Sequence, residues 1–314
     1  MARLIGLNAA ALVDHNSVSG NEEFFREGKR IGLETWGGTE LGTGIPGCEI
    51  LVYFPDPDAF LKFLKGETSG FFRSVLARRQ NELHHLAVRA IPEMNRILME
   101  LGKRDLITED ALTKWYSGVP PFYPGTLSVL LLERLSFEVR DKLGVHSPRQ
   151  ITAKYLTPLL QTFTSEPRDT TQETLELIRA LKRESLPVLT VLAHPLEMYG
   201  AARMTFREIG CWIEEMALAG ILDGMEVRNP RDNEAAIKEW RGIWQSIRVR
   251  LQKRGREFFA FRYNSDFHIL DPGKISNAFI LGYGLLDEDH PAGNLKAVNG
   301  WEAFRQTVCE YLRV

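Results

Sequence analysis

The stretch AALVDHNSVSGNEEFFREGKRIG, residues 10–32, places a short apolar run directly before Asp14 and His15 and then continues in a helical pattern. The helical part begins with Ser19 as a capping residue and has acidic residues early and basic residues late, as the helix macrodipole favours. Strand, polar turn and helix in this order form the repeating unit of α/β proteins. The stretch therefore predicts an α/β fold whose first strand ends in polar side chains.

Further short apolar runs predict more strands of the same kind. Polar segments bound them, which suits strands buried on both faces of a parallel sheet, and they are CEILVYF (48–54), VLTVLA (188–193), GMEV (224–227), EFFAFRY (257–263) and NAFILGYG (277–284). Residues 56–184 instead show helical periodicity, with one interruption at 116–126. We therefore expect a discontinuous barrel domain made of residues 1–55 and 186–314, with a helical insertion or cap at 56–185.

Composition excludes several classes of protein. The 314 residues are 44% hydrophobic and 25% charged, with a formal net charge of -2, and this balance argues against bulk binding to nucleic acid or to anionic lipid. The three scattered cysteines form no CxxC pair, and neither a signal peptide nor an apolar run of about 18–20 residues is present. We expect a cytoplasmic protein that does not bind membranes. The motifs of P-loop hydrolases, serine hydrolases and dinucleotide-binding proteins are absent.

Three histidines follow predicted strands. His15 follows AALVD, His194 follows VLTVLA, and His268 comes two residues after Asp266 in YNSDFH. In α/β barrels the carboxyl ends of the strands converge, so these groups and Glu40 of GGTEL would meet in one site. Imidazoles and carboxylates together suit Zn, Mn or Fe.

Each of these signals also has a structural explanation. A single histidine after a strand is more often a packing or capping residue, and SDFH alone is weak because Ser and Asp are common in turns. GGTEL could be a turn that leaves Glu40 exposed. The three histidines taken together favour a metal site over coincidence.

The ordered set LVDHNSVSG, GGTEL, LAHP, GILDGMEV and YNSDFH resembles the PHP family of metal-dependent phosphoesterases, the polymerase and histidinol phosphatase superfamily. The resemblance covers residues 1–54 and about 186–285. It implies a distorted, TIM-like (β/α)7 barrel with a centre of two or three divalent transition metal ions, Mn, Zn or Fe. Carried over position by position, the implied metal ligands are His15, Glu40, His194, Asp266 and His268.

The sequence also departs from the family pattern. No His-x-His strand precedes the stretch at residues 10–20, and Cys48 and Glu49 stand where the family often has a histidine, so Glu49 is a further candidate ligand. Either the recorded chain begins at an internal Met, or it is a divergent member whose site has decayed. A barrel without its first strand would expose unpaired backbone groups. This favours either a chain that begins at an internal Met or a homo-oligomer that covers the exposed edge.

The resemblance implies that a metal-bound hydroxide hydrolyses a phosphomonoester, such as a nucleotide or sugar phosphate, with the helical insertion covering this small substrate. Glu40, Asp266 and His268 are the catalytic candidates, and Glu40 would bridge two metal ions. Asp14 would orient a neighbouring ligand. The alternatives are a catalytically impaired protein that binds a phosphorylated ligand or partner, and a nuclease, which fits the acidic balance less well.

Two arginines at predicted strand ends are candidates for the substrate phosphate. A guanidinium can bind two phosphate oxygens at once, although arginines at such positions more often form salt bridges at the rim. These residues are Arg228 and Arg262.

Overall fold

The computed structural model describes residues 9–115, 125–163, 170–184, 186–229 and 232–261. It has a mixed α/β fold whose contacts divide the chain into two units, one formed by residues 1–73 and 169–314 and the other by residues 74–168. The predicted strand at 277–284 lies outside the described residues.

The first unit contains a sheet whose strands follow one another in chain order. The strands are β1 (Ala9–His15), β2 (Glu34–Gly42), β3 (Glu49–Phe54), β4 (Leu189–Leu192), β5 (Gly224–Glu226) and β6 (Phe259–Phe261). Strands β1 and β2 are parallel, and so are β4, β5 and β6, whereas β3 is antiparallel to both of its neighbours. The expectation that the run CEILVYF (48–54) forms a parallel strand is therefore wrong. The connection from β2 to β3 spans only residues 43–48, which is too short for a parallel crossover.

Helices accompany the sheet in the first unit, and the described part of the second unit is helical. They are α1 (Asn21–Ile31), α2 (Pro57–Lys65), α3 (Gly70–Glu100), α4 (Glu109–Trp115), α5 (Gly125–Arg134), α6 (Phe137–Leu143), α7 (Pro148–Ile151), α8 (Thr157–Phe163), α9 (Thr171–Arg183), α10 (Leu196–Ala201), α11 (Phe206–Leu218) and α12 (Glu234–Gln252). A short 3-10 turn at Glu67–Ser69 precedes α3, and a π-helical turn at Thr152–Leu156 joins α7 to α8. Among the described helices, none combines the length and hydropathy that crossing a membrane requires.

Helix α1 has a glycine at each of its caps. Gly32 adopts a left-handed conformation at φ 65° and its N–H bonds the last turn. The capping role expected for Ser19 is wrong, because Gly20 occupies the N-cap and no side chain caps the helix. The Ser19 N–H instead bonds the hydroxyl of Ser17 at 3.3 Å.

Alternating side chains give the sheet two buried faces. One face forms a cluster of buried residues from four strands and their ends: Trp36, Leu51, Tyr53, Leu189, Val191, Ala193 and Phe259. Side chains on the opposite face of β3 pack against helices, and the Phe54 ring stacks on Phe60 of α2 with centroids 3.9 Å apart. Both faces are therefore apolar in the middle, which leaves the strand ends as the places for polar chemistry.

The second unit has its own hydrophobic core. Buried side chains of α3, α5 and the segments that follow them form it, including Met94, Leu98, Leu127 and Leu131. Helices α2 and α9, which flank this region in the sequence, belong to the first unit, where the Thr174 hydroxyl of α9 donates to the Gly42 carbonyl oxygen at 2.9 Å.

Candidate metal centre

The carboxyl ends of β1 and β2 bring a histidine and a glutamate side by side. His15 pairs with Glu40 in the parallel register of the two strands. Because β3 runs in the opposite direction, its first residue, Glu49, pairs with Gly42 and arrives at the same edge of the sheet. His15 Nδ1 lies 3.3 Å from Glu40 Oε2 and 3.7 Å from Glu49 Oε1.

His194, two residues after β4, completes this group. Its Nε2 atom lies 3.2 Å from Glu40 Oε1 and 3.1 Å from Glu49 Oε2. Each carboxylate therefore faces one imidazole with one oxygen and the second imidazole with the other. We call the four side chains His15, Glu40, Glu49 and His194 the rim cluster.

The loop that leads into Glu49 is fastened to helix α9. The Gly44 N–H donates to the Thr171 hydroxyl at 3.0 Å, and the Thr43 hydroxyl donates to the Cys48 carbonyl oxygen at 3.1 Å. These contacts fix the start of β3, so Glu49 has a defined position although a loop precedes it.

Glu226, at the end of β5, holds the backbone of His194. His194 has a left-handed backbone with φ 24°, and its N–H donates to Glu226 Oε2 at 2.8 Å. Asn229 Nδ2 donates to the same oxygen at 3.2 Å, and Glu226 is fully buried. Glu226 was not among the site residues expected from sequence, although an acid inside the apolar run GMEV was an available signal.

Glu197 lies near the other ring nitrogen of His194. Its Oε2 atom is 3.8 Å from His194 Nδ1. The His194 side chain is 5% exposed, and Nδ1 is buried without a hydrogen-bond partner among the residues that the structure describes. Sequence reasoning missed Glu197 as well, because an acid in the first turn of a helix is common.

The electrostatics of this edge are dominated by carboxylates. Burial lowers the pKa of His194, but hydrogen bonds to Glu40 and Glu49 and the charge of Glu226 outweigh it and raise the pKa to about 11. Burial and the charges of Glu226 and Glu40 raise the pKa of Tyr53 well above its usual value. This edge therefore favours a positive charge, whether a proton or a cation supplies it.

The donor set suits a divalent transition metal ion. Two groups of side chains have potential ligand atoms within 4.8 Å of one another, His15 with Glu40 and Glu49, and Glu49 with His194 and Glu197. Neutral imidazole nitrogens and anionic oxygens are the usual ligands of Zn, Mn and Fe. Burial raises the pKa of the neighbouring Cys48 thiol to about 12, which disfavours a thiolate ligand at that position.

Two of the other residues expected from sequence, Asp14 and Arg228, lie in the part of the chain that the structure describes. Asp14 is exposed and precedes His15 in β1, so its side chain lies on the opposite face, and its main-chain oxygen accepts the Thr39 hydroxyl at 3.0 Å. Arg228 is half-buried two residues after Glu226. The candidates that lie outside the described residues are Arg262, Asp266 and His268. The alternative in which GGTEL is a turn with an exposed Glu40 is wrong, because Glu40 lies in β2 and is 5% exposed.

Comparison with known proteins finds similarity at the level of the fold. A suspected metal-dependent phosphoesterase from Bifidobacterium adolescentis is 19% identical in sequence, with a TM-score of 0.59 over 95% of this chain and 90% of that chain. An amidohydrolase from Chromobacterium violaceum is 17% identical, with a TM-score of 0.48 over 96% of this chain and 88% of that chain. No protein-family model and no curated protein matches the sequence.

Proposed function

We propose that this protein is a metal-dependent hydrolase of the PHP type that acts on phosphomonoesters, such as a nucleotide or a sugar phosphate. The observation that carries the proposal is the rim cluster, in which two carboxylates each face the same two imidazoles at 3.1–3.7 Å. The similarity in fold to the Bifidobacterium protein supports the same class of chemistry.

A distorted, TIM-like barrel is the proposed architecture of the first unit. Tyr53 of β3 stacks against Phe261 of β6, with ring centroids 5.8 Å apart and planes 3° from parallel. These strands lie three positions apart in the sheet, so their side chains meet only if the sheet is strongly curved. In a barrel of parallel strands, polar residues at the carboxyl ends form the site, which agrees with the position of the rim cluster.

The rim cluster would hold the cation, and Asp266 and His268 are proposed as further ligands. A divalent ion there lowers the pKa of a coordinated water and offsets negative charge on the phosphoryl oxygens. Glu40, with 6% of its side chain exposed, would fix the two imidazoles from the buried side. Glu49, with 27% of its side chain exposed, would lie nearer to the substrate.

The surplus of carboxylates sets a condition on the substrate. Glu40, Glu49, Glu197 and Glu226 all lie close to His194, so a phosphate group approaching this edge is repelled unless a cation is bound. Phosphate binding should therefore depend on the cation. Arg228 is the proposed guanidinium for a phosphate oxygen among the described residues.

The test is to strip the full chain with a chelator and then reload it with Mn2+, Zn2+ or Fe2+. Elemental analysis gives the bound metal, and phosphate release from p-nitrophenyl phosphate, nucleotides and sugar phosphates gives turnover. We expect turnover only in the reloaded protein. The substitution Glu40→Gln should lower both bound metal and turnover, whereas Glu239→Gln, at an exposed position of α12, should leave both unchanged.

Two outcomes would contradict the proposal in different ways. A chain that binds metal but releases no phosphate from any of these esters would be a binding protein for a phosphorylated ligand. A chain that binds no divalent ion would contradict the metal centre itself.

A further inference from the structure

The backbone of His194 is held from both sides, so the direction of its ring is set. The Ala193 N–H donates to the Glu49 carbonyl oxygen at 3.0 Å, and the His194 N–H donates to Glu226 Oε2 at 2.8 Å. On the C-terminal side of His194, the Glu197 N–H donates to the His194 carbonyl oxygen at 2.9 Å. These contacts keep His194 in a backbone conformation that non-glycine residues rarely adopt.

In this position the two ring nitrogens face different surroundings. Nε2 faces Glu40 and Glu49 at 3.2 and 3.1 Å, whereas the carboxylate oxygen beside Nδ1 is Glu197 Oε2, at 3.8 Å. A neutral imidazole binds one metal ion through one nitrogen, and the other nitrogen then carries a hydrogen that needs an acceptor. Nε2 faces the carboxylates of the rim cluster, so Nε2 would bind the metal ion. The hydrogen is then on Nδ1, and this N–H group needs an acceptor.

Glu197 is placed to supply that acceptor. Its side chain is 34% exposed, and shortening the 3.8 Å separation to a hydrogen bond needs only about 1 Å. Its backbone is confined, because a Cβ atom added at Gly47 would lie 2.6 Å from the Glu197 carbonyl group. Forming the hydrogen bond therefore requires only a short displacement of the carboxylate.

We propose that Glu197 is a positioning residue that accepts the Nδ1–H of His194, and so aims Nε2 at the cation without binding it. The inference rests on the proposed metal centre, and it assigns Glu197 a role that the sequence did not indicate. It also separates Glu197 from Glu49, although both lie within ligand distance of the same imidazole.

The experiment measures Zn2+ affinity and stoichiometry of the full chain in competition with a chelator. Glu197→Ala should weaken Zn2+ binding about 10- to 100-fold and leave the number of bound ions unchanged, as is usual when the hydrogen-bond acceptor of a ligating histidine is lost. Glu197→Gln should restore most of the affinity, because its amide oxygen still accepts a hydrogen bond. Glu239→Gln is the control for loss of a carboxylate at an exposed position.

Several outcomes would overturn the inference. Loss of one bound ion per chain in Glu197→Ala, without rescue by Glu197→Gln, would make Glu197 a metal ligand, because a neutral amide is a poor substitute for a carboxylate ligand. Unchanged Zn2+ affinity in Glu197→Ala would remove any role for this residue. A wild-type chain that binds no Zn2+ would overturn the inference together with the metal centre. Zn2+ binding without phosphate release would contradict only the proposed hydrolysis, since the positioning role is read from affinity.

Discussion

The two ends of the same strands both hold buried carboxylates, but they balance the charge differently. At the amino end, Asp223 Oδ2 accepts hydrogen bonds from Lys182 Nζ at 2.6 Å, from the Thr190 N–H at 2.8 Å and from the Thr190 hydroxyl at 2.8 Å. At the carboxyl end, the described partners of the Glu40 and Glu49 carboxylates include the imidazoles of His15 and His194. A buried carboxylate held by a lysine is structural, whereas carboxylates beside imidazoles form a donor set that a metal ion can use.

The pKa shifts at the two ends show the same contrast. Burial lowers the pKa of Lys182, in spite of the opposing effect of Asp223. At the other end burial also acts to lower the pKa of His194, but the carboxylates outweigh it and raise the pKa to about 11. Carboxylates thus determine the pKa of the histidine at the edge where β1, β2 and β4 end and β3 begins.

The largest effect is expected from breaking the ion pair at the amino end. Lys182→Met leaves the Asp223 carboxylate, which is 3% exposed, without its cation. Removing one partner of a buried ion pair lowers the free energy of unfolding by about 3–5 kcal/mol. Because the hydrogen bonds from Thr190 to Asp223 remain, we expect a loss of about 3 kcal/mol. Chemical denaturation gives the free energy of unfolding.

The control for this change is Lys238→Met, at an exposed position of α12. It should change the free energy of unfolding by less than about 0.5 kcal/mol. If Lys182→Met also costs less than about 1 kcal/mol, solvent screens the pair and the contrast between the two ends of the sheet fails. Zn2+ affinity should be the same in both variants, because neither position lies at the carboxyl end.

The reverse pattern is expected at the carboxyl end. Glu49→Gln removes a charge that faces both His15 and His194, so Zn2+ affinity should fall at least about 100-fold, or about 2.7 kcal/mol, since even residues that only orient metal ligands cost 10- to 100-fold. The metal-free protein should lose less than about 1 kcal/mol of stability, because Glu40 still pairs with both imidazoles. Isothermal titration and denaturation of the same preparation measure the two effects. A large loss of metal-free stability with normal Zn2+ binding would make Glu49 structural.

Much of the sheet could be predicted from apolar runs, but β2 could not. Its sequence, ETWGGTELG, contains glycines and polar residues that are depleted in strands. The structure explains one of these glycines, since a Cβ atom at Gly38 would lie 2.3 Å from the Val52 carbonyl oxygen of β3. Close packing of two strands selects glycine here, and hydrophobic periodicity does not report it. The direction of β3 was missed for the same reason, because the short connection at residues 43–48 indicates a hairpin only once β2 is known.

Some residues of the candidate site could be proposed from the sequence and others could not. The side chains of the rim cluster were proposed from their positions near strand ends and from the order of the motifs. Glu226 and Glu197 were not, because each acts on His194 through a hydrogen bond or a contact that depends on the backbone at that residue. The sequence does not indicate that His194 has a left-handed backbone conformation. The residues that hold this conformation can therefore be identified only from the structure.

The smallest effect tests how tightly the carboxyl end is assembled, by comparing two left-handed glycines. Gly32→Ala, at φ 65° with open space around it, should cost about 1 kcal/mol of unfolding free energy for the strained backbone alone. Gly47→Ala, at φ 72°, adds a Cβ atom 2.6 Å from the Glu197 carbonyl group, so it should cost about 1 kcal/mol more. Because the shift would move Glu197 and the loop before Glu49, only Gly47→Ala should also weaken Zn2+ binding. Equal stability losses and equal Zn2+ affinities in the two variants would mean that the loop yields freely, and that its packing against Glu197 does not help to position His194.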